Sequence, residues 1–523
     1  MKTRLLAGAA ILALSAGAAQ ADYALTILHT NDFHDRFEPI SGSASTCSAE
    51  DNAAGECFGG TARLVTALAD ARAAKENTLL LDGGDQFQGT LFYTYHKGRM
   101  AAEFMNQLGY DAMAVGNHEF DNGPDVLAEF ADLLDAPLLM ANADLTSEPL
   151  LKGKIAKSTV IEKAGEKLGL IGLTPVDNPE LASPGKNIVF TDPVQAVQAE
   201  VDALTGQGID KIILLSHSGY GVDQKIAAET TGVDVIVGGH SHTLLSNTEE
   251  GAEGPYPTMV GKTAIVSAYA YGRSLGMLDV TFDDAGEVVE ATGEPRLLDA
   301  SVAEDQAVVA RIAELGKPLE EIRNRLVAET TEAIDGSRET CRVQECAMGN
   351  LVTEAMLDRV KDQGVQIAFT NGGGLRASID AGPVTMGEVL TVLPFQNTLS
   401  TFQVTGEEVI GALENGVSQI EEGAGRFLQV AGLQYSFDPS KAAGERVSDV
   451  RVAEGDGFAP IDPAKIYGAV SNNYVRQGGD GFASLVDAAN AYDFGPDLAD
   501  VLAEYMAEVG PYTPALDGRI TRK

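Results

Sequence analysis

LTILHTNDFH, residues 25–34, carries the reading of the fold in miniature. LTILHT (25–30) has the length and β-branched, apolar character of a buried strand, and the residues that follow, Asn31, Asp32, Phe33 and His34, put polar, metal-ligating types directly at its end. The arrangement recurs. TLLLD (78–82) runs into Asp82-Gly83-Gly84-Asp85 with Gly89 just beyond, and DAMAVG (111–116) into Gly116-Asn117-His118-Glu119-Phe120-Asp121. KIILLSH (211–217) ends in Ser216-His217-Ser218-Gly219, and DVIVGGH (234–240) in Gly238-Gly239-His240-Ser241-His242. From Asp22 to about residue 300 such runs alternate with helical stretches, which predicts a layered α/β domain. All 7 His lie between residues 29 and 242. In α/β folds ligands bind beyond the carboxyl ends of the strands, so the five loops can converge on one place.

Mixed His, Asp and Asn donors suit a borderline divalent ion such as zinc or manganese rather than calcium, and they are more numerous than one ion needs. Two ions, with a carboxylate bridging them, are the natural reading. Gly84 before Asp85 and Gly116 before Asn117 allow sharp turns and close backbone approach. Any single Asp or His in such a loop can be a cap or a turn. His29, inside its apolar run, reads as structural, and His96 in YHKG as a surface loop residue. Glu119 reads as a support for the ligands rather than a ligand.

The remaining composition bounds the answer. With 523 residues and 44% hydrophobic content the chain is long enough for two to four folded domains. A net charge of -39 argues against unassisted binding of nucleic acid, and an anionic substrate would need cations or an Arg cluster at the site. Lys2 and Arg4, the apolar run Leu5–Leu14 and Ala19-Gln20-Ala21 have the layout of a secretory signal cleaved after Ala21. The apolar stretch is too short to span a membrane, and no lipid-accepting Cys or hydrophobic C-terminal tail provides another anchor. In an oxidising compartment the 4 Cys predict two short staples, Cys47 with Cys57 and Cys341 with Cys346.

The expected organisation is a signal at 1–21, a metal domain at 22–303, a linker helix at 304–328 with no strong amphipathic stripe, and a second α/β domain at 329–523. In that last part Arg342 lies inside the Cys341–Cys346 loop, and Asn371-Gly372-Gly373-Gly374-Leu375-Arg376 sets a Gly-rich turn beside an Arg. Such a turn can cradle phosphate. It can equally be a plain strand-to-helix turn with a solvated Arg. Phe395 in LPFQNT, Tyr474 in NNYVRQGGDGF and Phe427 in GRFLQV read, from the residues alone, as core.

DxH, GDxxxG, GNHE, a lone His after a strand and GGHSH, in this order, resemble the calcineurin-like metallophosphoesterases. The likeness extends over the whole mature chain to the secreted 5'-nucleotidases, the group that includes bacterial UDP-sugar hydrolase/5'-nucleotidases and animal ecto-5'-nucleotidase. It implies a four-layer α/β/β/α metal domain and a C-terminal substrate domain joined by a helix about which the domains rotate. By the same resemblance Asp32, His34, Asp85 and His242 hold one ion, and Asp85, Asn117, His217 and His240 the other. His242 stands where relatives often carry Gln or Asn. His118, positioned by Asp121, is the implied catalytic residue. Phe395 and Tyr474 would sandwich the base, Tyr474 standing where Phe is more usual, while Asp480 accepts the ribose hydroxyls, Asn371 contacts the base, and Arg342 and Arg376 bind phosphate.

The expected activity is therefore hydrolysis of nucleoside 5'-monophosphates, with di- and triphosphates or UDP-sugars as further candidate substrates. No nucleic acid, membrane anchor or obligate protein partner is expected. The competing readings within the superfamily are a 2',3'-cyclic nucleotide 2'-phosphodiesterase/3'-nucleotidase and a thiosulfohydrolase. The CRVQEC loop, NGGGLR and the FLQV and GGDGF segments favour the 5'-nucleotidase branch over both. A non-catalytic nucleotide binder is the alternative from another class, and it has no need of His118 and Asp121 beside the metals.

Overall fold

The computed structural model describes residues 22–523 except 43, 45, 46, 456 and 494, so the expected signal segment lies outside the described residues. β1 (Tyr23–Thr30), β2 (Thr78–Asp82) and β3 (Ala112–Ala114) lie side by side and parallel in an eight-stranded sheet. β4 (Glu166–Leu173), β5 (Ile212–Ser216) and β6 (Val235–Gly238) are parallel neighbours in a six-stranded one.

Alternate residues of each strand face opposite sides, and both sides are buried. Leu25, Ile27, Leu79, Leu81 and Ala112 of the first sheet meet Leu168, Leu170, Ile213, Leu215 and Val235 of the second in a sandwich core. The other faces are covered by helices. Leu28, Leu80 and Met113 pack with Leu64, Leu68 and Met105, and Ile171, Ile212, Leu214 and Ile236 with Val197, Val201 and Ile226. The result is the expected four-layer α/β/β/α arrangement, and it brings the ends of β1, β2, β3, β5 and β6 to one rim.

The connecting segment differs from the single helix expected over 304–328. α1 (Gln306–Gly316) gives way to a tight turn at Lys317–Leu319, which contains Pro318, then to a last helical turn at Glu320–Arg323; by Leu326 the chain is in β7 (Leu326–Thr330). Pro318 cannot donate to the helical ladder, which accounts for the break. α1 is also amphipathic: Val308, Ile312 and Gly316, at four-residue spacing, are buried against the metal domain. His96 ends a helix rather than standing in an open loop, and its Nε2–H donates to Leu315 O at 3.0 Å, tying the metal domain to this segment.

The C-terminal half is built on a five-stranded mixed sheet containing β8 (Ile367–Asn371). Ala368 faces α3 (Ala347–Arg359), which follows the short α2 (Arg338–Cys341), and Ile367 and Phe369 face a second core that includes the fully buried Phe427. Cys47 pairs with Cys57 and Cys341 with Cys346. Among the described residues no helix is long and apolar enough to cross a membrane.

Candidate metal centre

The five loops converge with unusual backbone geometry. Asp32 (φ 50), His34 (φ 53), Asp85 (φ 58), His240 (φ 70) and His242 (φ 54) all adopt the left-handed region, at a cost of about 1–3 kcal/mol each that the surrounding structure must offset. Gly116 is required by space: a Cβ there would lie 2.2 Å from Asp85 Oδ1.

The donor atoms gather in two overlapping groups. Around Asp32 Oδ1 lie His242 Nε2 at 3.3 Å and His34 Nε2 at 4.0 Å, and the two imidazole nitrogens are 3.1 Å apart. Around Asp85 Oδ2 lie His217 Nε2 at 2.9 Å and both His34 Nε2 and His118 Nε2 at 4.0 Å. Asn117 Oδ1 and His240 Nδ1 are 2.9 Å apart, and Asp85, His217 and His240 form one three-residue cluster suited to a cation. His34 belongs to both groups, and Asp85 joins it to the His217 and His240 cluster.

Hydrogen bonding tests whether ions fit. His34 Nδ1 and His217 Nδ1 lie 3.0 and 2.6 Å from the carbonyls of Phe87 and Gly83, which can only accept. Both rings therefore carry a proton on Nδ1 and turn Nε2 to the centre, where in the metal-free protein Arg376 donates to His34 Nε2 and the carboxylates favour a proton on His217 Nε2. The His217 Nε2 atom is buried and its contact with Asp85 is not aligned as a hydrogen bond. Lone pairs facing lone pairs and carboxylates at 3–4 Å repel each other unless a cation stands between them, so the donor set fits divalent ions. The protonation tendencies agree. Burial pulls His217 down, but the Asp85 and Asp32 carboxylates outweigh it and lift its pKa to about 10, whereas burial, aided by the charge on His217, takes His240 down to about 3.

Glu119 does not reach the centre. Its Oε2 accepts from the backbone N–H groups of Asp85 (3.0 Å) and Gly116 (2.7 Å), and its Oε1 from Gln86 (2.9 Å) and Phe87 (3.2 Å), clamping the loops after β2 and β3 together. Burial, reinforced by Asp85, pushes its pKa up to about 8. Asn31 steadies Asp32 by donating to Oδ2 at 2.8 Å. His29 is structural, its Nε2 2.8 Å from the Tyr256 hydroxyl.

His118 stands at the edge of the centre with Nδ1–H donating to Asp121 Oδ2 at 2.7 Å. Burial opposes its protonated form, but Asp121 and Asp85 outweigh it and raise its pKa. The opposite wall comes from the C-terminal half. Arg376 Nη2 is 3.2 Å from His34 Nε2, Phe395 stacks on the His118 ring at 5.6 Å, and the Arg376 guanidinium lies 5.6 Å from the centre of the Phe395 ring. Arg338 donates from Nη1 to His240 O at 3.1 Å. Burial, then the charges of Arg338 and Arg376, hold Arg342 well below the usual guanidinium range. Arg338 was not among the expected residues; its four-residue spacing from Arg342, one helical turn across α2, is the signal that would have found it. Asp480, Asn371 and Tyr474 line the same cavity, of about 1120 Å³, together with Arg342, Arg376, Phe395, His118 and the rim of the metal centre. Asn371 is less free than expected for a base contact, since its Nδ2 donates to Asp480 Oδ2 at 2.7 Å and its Oδ1 accepts from Asn472 at 3.0 Å. The Arg side chains supply the local positive field that an anionic chain needs at an anion site.

Two stacked sheets whose strand ends present Asp, His and Asn donors to one rim define a calcineurin-like metallophosphoesterase. The family model described as calcineurin-like phosphoesterase matches residues 25–244, and that described as 5'-nucleotidase, C-terminal domain, matches residues 326–487. The 5'-nucleotidase of Diplobatis ommata is 39% identical over 98% of this chain and 92% of its own, and the snake venom 5'-nucleotidase of Naja atra 37% identical over 95% and 98%. The crystal structure of a 5'-nucleotidase precursor from Thermus thermophilus superposes with a TM-score of 0.91 at 42% identity, covering 96% of this chain and 99% of that one. The chain belongs to the 5'-nucleotidase family and is a hydrolase of phosphate monoesters.

Proposed function

We propose that this chain releases phosphate from nucleoside 5'-monophosphates at a centre holding two divalent ions, zinc or manganese by the mixture of nitrogen and oxygen donors. Asp32, His34, Asp85 and His242 would hold one ion and Asp85, Asn117, His217 and His240 the other. When bound, the ions supply positive charge and a water activated at neutral pH. Arg342 and Arg376, with Arg338 beside them, bind and orient the phosphate. His118, whose protonated form Asp121 favours, neutralises charge on the phosphoryl oxygens or protonates the departing nucleoside oxygen. Phe395 and Tyr474 would hold the base, and Asp480, steadied by Asn371, the ribose. Secretion to the periplasm or beyond is supported by the N-terminal residue pattern, the two disulfides and the venom origin in a relative's name.

The observation that carries this reading is the crowding of the His34, His217 and His242 Nε2 atoms with the Asp32 and Asp85 carboxylates, within 4.0 Å, on one wall of a cavity whose other wall carries three Arg side chains. The test is phosphate release by protein stripped with chelator and resupplied with zinc or manganese. Metal-restored release from AMP, with none from 3'-AMP or cyclic AMP, is expected. Release from 3'-AMP or cyclic nucleotides alone would move the activity to the competing phosphodiesterase/3'-nucleotidase branch, and binding of AMP without turnover would make the protein a nucleotide binder.

A further inference from the structure

Tyr474 and Asp480 are joined by two hydrogen bonds in the substrate wall. The Tyr474 hydroxyl accepts from the Asp480 backbone N–H at 3.2 Å and donates to the same residue's Oδ1 at 3.1 Å. The backbone conformation makes this geometry: Asp480, at φ 55 and ψ 25, lies in the left-handed region inside Gly478-Gly479-Asp480-Gly481, which turns its N–H back toward the ring. Gly479 is needed for the fit, because a Cβ there would fall 2.5 Å from the Tyr474 ring. Asn371 Nδ2 donates to Oδ2 at 2.7 Å and Asn415 Nδ2 to the Asp480 carbonyl at 3.1 Å, so the residue is held at every polar group.

Counting lone pairs gives this pair a meaning. Each carboxylate oxygen has two acceptor sites, and these protein donors fill one on each: Tyr474 on Oδ1 and Asn371 on Oδ2. One site per oxygen remains, and the two oxygens of one carboxylate match the two donors of a vicinal diol. Burial pushes the Asp480 carboxyl above the usual carboxylate range, and the Asn371 and Tyr474 donors offset only part of that rise. We propose that the Tyr474 hydroxyl is a specificity-determining positioning group, fixing Asp480 as a two-point acceptor so that nucleotides with an intact ribose diol are preferred. This rests on the reading of Asp480 as the ribose acceptor given above. A site built around substrate hydroxyls discriminates against analogues that lack them because its own polar groups are then left unpaired.

The test compares wild type, Tyr474→Phe and Asp480→Ala, all metal-reconstituted, on AMP and on 2',3'-dideoxyadenosine 5'-monophosphate. Phe keeps the ring and its stacking and removes only the hydroxyl. The expected result is that Tyr474→Phe lowers the AMP-to-dideoxy ratio of kcat/KM about tenfold, the size of one charge-assisted hydrogen bond, with the loss appearing in the KM for AMP. Asp480→Ala should bring the ratio close to one. If Asp480→Ala keeps the wild-type ratio, the ribose reading fails and the proposal with it. If Asp480→Ala collapses the ratio and Tyr474→Phe does not lower it, the ribose reading stands and the role of the hydroxyl is overturned.

Discussion

Replacing Glu119 by Gln tests the architecture of the metal centre without touching a ligand. The carboxylate accepts four backbone N–H groups, two on each oxygen, from two different loops. An amide keeps one accepting oxygen and puts an N–H₂ where the other stood, so whichever way it is turned two buried donors lose their acceptor and face a donor. At about 1–3 kcal/mol for each unsatisfied buried donor the cost is roughly 2–6 kcal/mol. For a metal domain of this size that corresponds to a fall of roughly 4–12 °C in its melting temperature. The loops carrying Asp85 and Asn117 would lose their common anchor, and metal affinity should drop about 10–100-fold, as for other groups that orient ligands from behind. Calorimetric unfolding of the apo protein and isothermal titration with zinc or manganese would measure the two effects, with the number of ions bound unchanged. Wild-type melting together with wild-type metal affinity would refute the claim that Glu119 organises the site.

His118→Ala should lower kcat on AMP by about 10²–10⁴ while AMP still binds the metal-loaded protein, measured by steady-state kinetics and equilibrium binding; undiminished kcat would remove His118 from the chemistry. Arg338→Ala should raise the KM for AMP about tenfold and weaken competitive inhibition by inorganic phosphate, and an unchanged phosphate inhibition constant would leave Arg338 a purely structural bridge to His240. For the metal-free protein the pH dependence has a definite sign. Burial raises Glu119 to about 8 and Asp82 and Asp223 to about 7, so these carboxyls cost stability as pH rises from about 4 to about 8, and carboxylates, overcoming burial, raise His217 to about 10, which costs stability from about 6.5 to about 10. Below about pH 6.5 the lowered His29 and His240, each about 3, act in the opposite direction. Metal ions compete with protons at His217, so the thermal shift produced by zinc or manganese should grow from about pH 6 to about 9; a shift constant across that range would contradict the assignment.

The metal rim was legible because its residues are fixed by short-range rules. A short strand delivers the next side chain to the sheet's edge, so His217 and Asp85 could be placed from their distance to the apolar run alone. The layered α/β character was legible for the same reason, as strands buried on both faces read as continuous apolar runs, whereas the four-layer stacking was implied only by the resemblance to the metallophosphoesterases. What escaped the sequence depends on long-range fit. Pro318 breaks a helix whose composition otherwise favours continuity, and the Val308–Ile312 stripe is too sparse to notice until the metal domain is packed beneath it. Arg338 gains its meaning only when α2 is swung against the carbonyl of His240. Tyr474 is half aromatic surface and half hydroxyl, and nothing in NNYVRQGGDGF says that the hydroxyl will be spent on the acid six residues later.

The chain passes only once from the metal domain to the substrate wall, through the broken segment 306–323. In the function proposed above, the residues that hold the ions and His118 lie before that crossing, and the proposed base, ribose and phosphate-binding Arg contacts lie after it. Such a division lets descent act on the two parts separately. Under that assignment, substitutions after residue 323 that spare Arg338 and Arg376, the two side chains that touch His240 and His34, can retune which esters are accepted while leaving the strained loops in place, so a lineage built on this plan can change its diet while keeping its chemistry.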